Sequence, residues 1–144
     1  MREILFRGQT RRKGQKVWMD GTPVDSNWVE GYGVCMGTGD FSVIYAGHPV
    51  EKFTVYTDTV GQYTGLTDKN GKKIFEGDVL HEPDVVQNGE IQIKGEFFEV
   101  AMRKGVWCVL TKDDWDFLNS CVQRCEVVGN IHDNPDLLEV SDNG

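Results

Sequence analysis

No apolar run in this chain approaches the roughly 20 residues that a membrane-spanning helix needs, and the opening MREILFRGQTRRKG lacks the long apolar segment of a secretion signal. The expectation is a soluble chain that stays in the cytoplasm and makes no use of a membrane. Cysteine is scarce: Cys35, Cys108, Cys121 and Cys125 form neither a CxxC pair nor the paired spacing of a zinc ribbon. A reducing compartment keeps them as thiols, and a free cysteine behaves as a small hydrophobe. A metal or redox pair at Cys121 and Cys125 would need a helix to bring i and i+4 together, whereas the residues around Cys125 read as a strand. The histidines, His48, His81 and His132, fall in separate loops or strand ends, without the local spacing of a zinc site. No GxSxG or Walker sequence is present. The Gly-x-Gly pairs of GYGVCMGTGD, Gly31–Asp40, lack the strand–turn–helix setting that gives such glycines meaning, so this stretch reads as a loop. These features imply no catalytic residue, no metal and no cofactor.

Proline is also sparse, with four residues against seventeen glycines. Glycines spread through short apolar runs serve tight turns rather than a linker, and so favour β structure. The charge is uneven. Arg2, Arg7, Arg11, Arg12, Lys13 and Lys16 stand against Glu3 alone in residues 1–16, a net +5, which leaves −13 on the other 128 residues of a chain whose total is −8. An acidic body repels phosphates and disfavours a broad nucleic-acid footprint. The basic arm keeps a narrower one open, with Arg11, Arg12 and Lys13 as the candidate contacts and Trp18 as an aromatic beside them.

Short strands at close spacing describe most of the chain. Glu3–Arg7 alternates, residues 8–15 form a polar loop and Lys16–Met19 returns, which predicts an N-terminal hairpin. Phe41–Ala46 and Lys52–Thr57 read as strands. In QYTGLTDKNGKKIFEGDVL, a strand from Gln62 to Leu66 leads into a turn at Asp68-Lys69-Asn70-Gly71, where Asn-Gly supplies the positive φ of a tight turn. Ile74 and Phe75 return, and Glu76-Gly77-Asp78 bends the chain again before Val79 and Leu80. Strands follow at Glu90–Ile93, Glu96–Met102 and Val106–Leu110. The period then changes, and Thr111 with the acidic Asp113, Asp114 and Asp116 predicts a short helix over 112–119. Val122–Ile131 reads as strand and Asn134-Pro135 opens a last helical turn. The result is a mostly β chain with minor α: an irregular N-terminal β region over 1–59, a barrel-like region over 60–140, and a frayed tail at 141–144.

Within Gln62–Leu80 the polar residues have structural work available. The run Asp68–Lys72 departs from a calcium loop, which wants an oxygen ligand where Lys72 stands. Glu76 and Asp78 could hold a cation or form an acid/base pair, yet carboxylates around a turn are more often solvated. Most of the aromatics are expected in the core, any exposed remainder marking a partner surface.

Three stretches, REILFRGQ, VGQYTGLTDKNGKKIFEGDVL and EVVGNIHDNPDLL, together resemble the YopX-like family of bacteriophage and prophage proteins. The resemblance implies a C-terminal part similar to an SH3-type barrel, in a phage-encoded product of a bacterial host cell, and points to self-association into a homo-oligomer. With the acidic body, the turn-rich β architecture and the lack of a catalytic constellation, the expectation is a non-enzymatic interaction module that binds a host or phage protein. The resemblance also points to Gln62, Tyr63, Thr64, Gly65, Leu66, Asp68, Asn70, Gly71, Glu76, Gly77 and Asp78 as the characteristic segment, a structural turn and a candidate contact surface. It assigns no place to residues 20–50.

Overall fold

The computed structural model describes residues 3–111 and 113–140, and the chain divides between Tyr63 and Thr64 into two units, each with its own contacts. Arg2, Lys112 and the expected frayed tail at 141–144 lie outside the described residues.

The first unit is all β. Strand β1 (Phe6–Arg11) is antiparallel to β2 (Asn27–Gly31), with Phe6 opposite Gly31 and Gln9 opposite Trp28. On its other side it pairs with the start of β6 (Gly61–Thr67), Phe6 facing Gln62. Strands β3 (Gly33–Cys35), β4 (Phe41–Ala46) and β5 (Glu51–Tyr56) form an antiparallel meander. Ile44 and Val55 are its buried apolar residues. Gly8 is glycine because a Cβ there would stand 2.7 Å from a Val55 methyl carbon, so β1 approaches β5 closely only without a side chain at that position. Polar groups complete the interior: the Gln9 N–H donates to Thr59 Oγ1 at 2.8 Å, and the Ser42 and Thr57 hydroxyls share a 2.8 Å bond.

The expected N-terminal hairpin is corrected here. The strand begins at Phe6 and runs through Gly8, Gln9 and Thr10, residues whose composition suggests a polar loop, and its partner is β2 rather than Lys16–Met19. Polar composition misleads because Gln9 is buried through its backbone bond to Thr59. Residues 16–23 form a turn of their own, with an isolated bridge between Lys16 and Pro23 and the Val17 N–H donating to the Thr22 carbonyl at 3.0 Å. The Gly31–Asp40 loop likewise contains β3, paired with β4, and Gly31, the last residue of β2, has no room for a Cβ because it would meet the Tyr45 carbonyl oxygen.

In the second unit the end of β6 turns through residues 68–72 into β7 (Lys73–Phe75), and the Thr64 hydroxyl donates to the Ile74 carbonyl at 2.8 Å. Then come β8 (Asp78–His81), β9 (Val85–Gln87), β10 (Glu90–Ile93), β11 (Phe97–Arg103), β12 (Val106–Leu110), β13 (Trp115–Phe117), a 3-10 turn at Leu118–Ser120, β14 (Glu126–Asn130) and helix α1 (Asp136–Val140). Five strands make one antiparallel sheet in the order β13-β12-β11-β8-β14, while β9 and β10 form a separate hairpin between β8 and β11. A four-strand meander whose fifth strand returns beside the first is curled into a half-barrel, in keeping with the mostly β, barrel-like region expected here. Its core is Ile74, Leu80, Val100, Val109, Leu118, Cys121 and Cys125. The period-2 alternation of β11 and β12 delivers Val100 and Val109 to it as a directly opposed pair.

The helix expected over 112–119 is a second correction. Thr111 does cap, but it closes a tight turn: its hydroxyl accepts the Asp114 N–H at 3.0 Å, and its own N–H donates to the Asp114 carbonyl at 2.9 Å. That turn sends Trp115–Phe117 back as a strand, with Leu110 opposite Trp115 and Cys108 opposite Phe117. Among the described residues of this stretch, only the 3-10 turn at Leu118–Ser120 is helical. Strand β14 is also shorter than the expected Val122–Ile131, because residues 121–124 form a turn.

Candidate functional site

The polar groups of Gln62–Leu80 are engaged within their own units. Gln62 is paired in the first unit's sheet and the Tyr63 N–H donates to the Leu5 carbonyl at 2.9 Å. In the second unit Asp68 is the centre. One carboxylate oxygen accepts the N–H groups of Asn70 and Lys72, each at 2.9 Å, and the other accepts the Val127 N–H on β14, also at 2.9 Å. Burial pushes its carboxyl up, but those three N–H groups and the Lys72 ammonium outweigh it and hold the pKa below the ordinary value. Asn70 adds a bond from its side-chain amide to Glu126 at 3.3 Å. Gly65, Gly71 and Gly77 all take positive φ. Leu66 packs against the core.

Glu76 and Asp78 do not share a surface. Glu76 is exposed, whereas Asp78 is buried and accepts the Phe75 N–H at 2.8 Å. Gly77 between them donates its N–H to the Val100 carbonyl and accepts that of Ile131, each at 2.9 Å, so the bend ties β11 and the end of β14 together. The notion of solvated turn carboxylates therefore fails for Asp78, because the turn needs an acceptor inside it. A shallow, largely polar concavity of 460 Å³ lies beside this segment, between Gly65–Lys69 and Val122–Gln123.

The basic arm is divided. Arg11 ends β1 opposite Asn27, while Arg12 binds Asp58 at 2.8 Å and lies 4.1 Å from the Tyr56 ring centroid. Lys13 is exposed. Beyond it a loop projects Trp18 and Met19, 87% and 89% exposed, with Met19 at φ +83°.

Sequence reasoning missed the larger apolar site. On the outer part of β11, β12 and β13, Arg103, Lys104, Val106, Cys108, Trp115 and Phe117 line a groove of 480 Å³. Strand alternation puts the side chains of Arg103, Val106, Cys108 and Phe117 on one face of the sheet through the opposed pairs Arg103–Val106 and Cys108–Phe117. Trp115 and Phe117, about half exposed, meet edge to face at 5.3 Å. Cys108 is buried at the groove, its thiol 3.5 Å from the Val106 carbonyl. Arg103 acts on Glu99 of its own strand, whose carboxyl burial raises and Arg103 partly draws back. The usable signal is the i, i+2 spacing of Trp115 and Phe117, which is strand periodicity, and which the acidic residues around it disguise as a helix start. Those acids serve the strand instead, since the Trp115 and Phe117 N–H groups donate to Asp114 and Asp116 at 2.8 and 2.7 Å.

Cys121 and Cys125 do meet, and a turn rather than a helix brings them together, with Arg124 N–H donating to the Cys121 carbonyl at 3.0 Å. A hydrogen bond between the thiols lowers Cys121 below the ordinary value and pushes Cys125 up, burial acting upward on both. Both belong to the core. The His81 ring lies tilted against Phe97 at 4.5 Å, and His48 stacks on Tyr32 at 5.7 Å. Among the described residues no three His, Cys, Asp or Glu side chains gather closely enough to hold a metal ion, and no helix is long and apolar enough to cross a membrane.

A family model described as YopX protein matches residues 36–139. No curated protein matches the chain. The crystal structure of protein EF1440 from Enterococcus faecalis is similar over 94% of this chain and 97% of that one, at 22% identity and a TM-score of 0.48.

Proposed function

Since the chain belongs to the YopX protein family, we propose that it is a phage or prophage accessory protein of the host cytoplasm, a non-enzymatic module that associates with copies of itself and with a host or phage protein. The observation that carries this reading is the groove at Trp115 and Phe117. An exposed aromatic pair beside an arginine and an exposed valine, over a buried thiol, has the composition of an interface centre, where aromatic residues and Arg are enriched. The test is solution mass by light scattering at low and high salt, followed by capture of partners from phage-infected cells with wild type and Trp115→Ala. A defined oligomer that survives salt, with capture lost in the variant, supports the module. A strict monomer that captures nothing refutes it.

A second reading rests on the Trp18–Met19 loop. An aromatic this exposed, on an arm that carries Arg11, Lys13 and Lys16, suits stacking on a single strand combined with phosphate contact. Arg12 contributes less, being committed to Asp58 and Tyr56. Neutralising Arg11 and Lys13 would then weaken binding to a single-stranded oligonucleotide and flatten its salt dependence by about 0.7 per lost contact. Binding insensitive to salt would exclude it.

A further inference from the structure

Two turns of the second unit carry an Asn-Gly dipeptide, Asn70-Gly71 and Asn88-Gly89; a further one, Asn143-Gly144, lies outside the described residues. The dipeptide is chemically labile, because a glycine nitrogen with no Cβ beside it can turn onto the asparagine side-chain carbon. The fold treats the two turns differently. At the first, the Gly71 N–H donates to the Asp68 carbonyl at 3.0 Å, the Asn70 N–H to the Asp68 carboxylate at 2.9 Å, and the Asn70 amide to Glu126 at 3.3 Å. The attacking nitrogen and the amide that would leave are both tied down. At the second, Gln87 stands opposite Glu90, so Asn88 and Gly89 alone make the turn, at φ +55° and +79°. Both are exposed, and among the described residues neither the Asn88 amide nor the Gly89 N–H has a hydrogen-bond partner.

The chain around Asn88 also opens at little cost. Strands β9 and β10 have no buried residue, a register shift separates their pairs Ile91–Val86 and Ile93–Val85, and a two-stranded hairpin by itself is marginal in water. Its anchor is its neck. The Glu82 N–H donates to the Glu96 carbonyl at 2.9 Å and the Gly95 N–H to Asp84 Oδ1 at 2.7 Å, and a Cβ on Gly95 would collide with the Glu82 carbonyl. The tip can therefore open while the base holds.

We propose that Asn88 is a self-modification site, converted in the folded protein to aspartate and isoaspartate with water as the only co-reactant. The Gly89 nitrogen gives its proton to base and bonds to Asn88 Cγ; the Cγ–Nδ2 bond breaks, and ammonia leaves with a proton from water. Water then opens the cyclic imide. Cleavage between the Gly89 nitrogen and Cγ yields aspartate, and cleavage between that nitrogen and the backbone carbonyl yields isoaspartate, with the nitrogen regaining a proton in either case. Isoaspartate adds a carbon to the main chain of a two-residue turn and a carboxylate next to Glu90, so the modified hairpin pairs less well.

The test ages full-length wild-type protein in mildly alkaline buffer, folded and in parallel unfolded in urea, and weighs the peptides after digestion. In the folded protein the peptide holding Asn88 gains one mass unit at least about tenfold faster than the peptide holding Asn70, because only the first turn must break bonds to a charged group before it can open. In urea the two rates converge. The rate at Asn88 rises with pH, part of the product elutes as isoaspartate, and Asn88→Gln abolishes the gain in that peptide. Amide hydrogen exchange in β9 and β10 is faster in the aged protein. An Asn88 that survives in the folded protein while reacting in urea overturns the site, as do equal rates at the two turns of the folded chain. Exchange unchanged by ageing overturns the loosening of the hairpin.

Discussion

Replacing Asp68 should be the most damaging single change within the characteristic segment. The carboxylate accepts three backbone N–H groups, two that close the 68–72 turn and one on β14. A hydrogen bond to a charged group contributes about 1.5–3 kcal/mol, and a buried donor left without its acceptor costs about 1–3 kcal/mol. In Asp68→Ala, water reaches the N–H groups of exposed Asn70 and Lys72 and recovers part of the loss, whereas the Val127 N–H is part-buried. The expected destabilisation is therefore about 3 kcal/mol, a large share of a typical total of about 5–15 kcal/mol. Asp68→Asn keeps an acceptor for the turn but points an amide NH₂ at the Val127 N–H, and should cost roughly half as much. The pH dependence has a fixed sign. The folded pKa lies below the unfolded value of about 3.9, so the stabilisation is complete well above that value and disappears as pH falls through the folded pKa. Urea unfolding followed by the fluorescence of Trp107, which packs against the core, should show wild type well ahead of Asp68→Asn at pH 7 and the gap closing below about pH 4. Equal stabilities at pH 7, or a gap that does not change on acidification, would refute the assignment.

Leu80→Ala removes a fully buried side chain opposite Phe98 and Val127 and should cost about 2–5 kcal/mol in the same urea assay. Gly129→Val drives a Cβ into Asn134 Oδ1 and places it 3.0 Å from a Leu137 methyl, so the turn before α1 must shift; the expected loss is about 1–3 kcal/mol, visible as a lower Tm. Changing both Asp114 and Asp116 to Ala releases the N–H groups of Trp115 and Phe117 on the terminal strand of the sheet, at about 1 kcal/mol each. Freed edge groups template pairing with other chains, so turbidity on heating should set in earlier than for wild type.

How much of this can be read from residues alone depends on where the interactions lie. The turns at 68–71 and 76–78 are legible because Asn-Gly and Gly-Asp signals are local, and the alternation of β11 and β12 marks a half-buried sheet. The N-terminal pairing is not legible. Gly8 and Gln9 look like loop, and only Val55 and Thr59, some 50 residues onward, explain why they are interior strand. Trp115–Phe117 fails for the opposite reason: a local signal, acids after a threonine, fits a helix start as well as a turn followed by a capped strand. The groove cannot be foreseen, since it exists only once β11, β12 and β13 lie side by side.

The anchored neck of the β9–β10 hairpin separates two kinds of tolerance within a dozen residues. At the tip, Asn88 and Gly89 both take positive φ and nothing lies near Gly89, whereas Gly95 at the base has no room for a single added carbon. The loop is thus a socket for foreign sequence: an epitope or a fluorophore-bearing peptide spliced between Asn88 and Gly89 should leave the fold intact, while the same insertion at Gly95 should not. A label in that position would also report directly on whatever the hairpin touches.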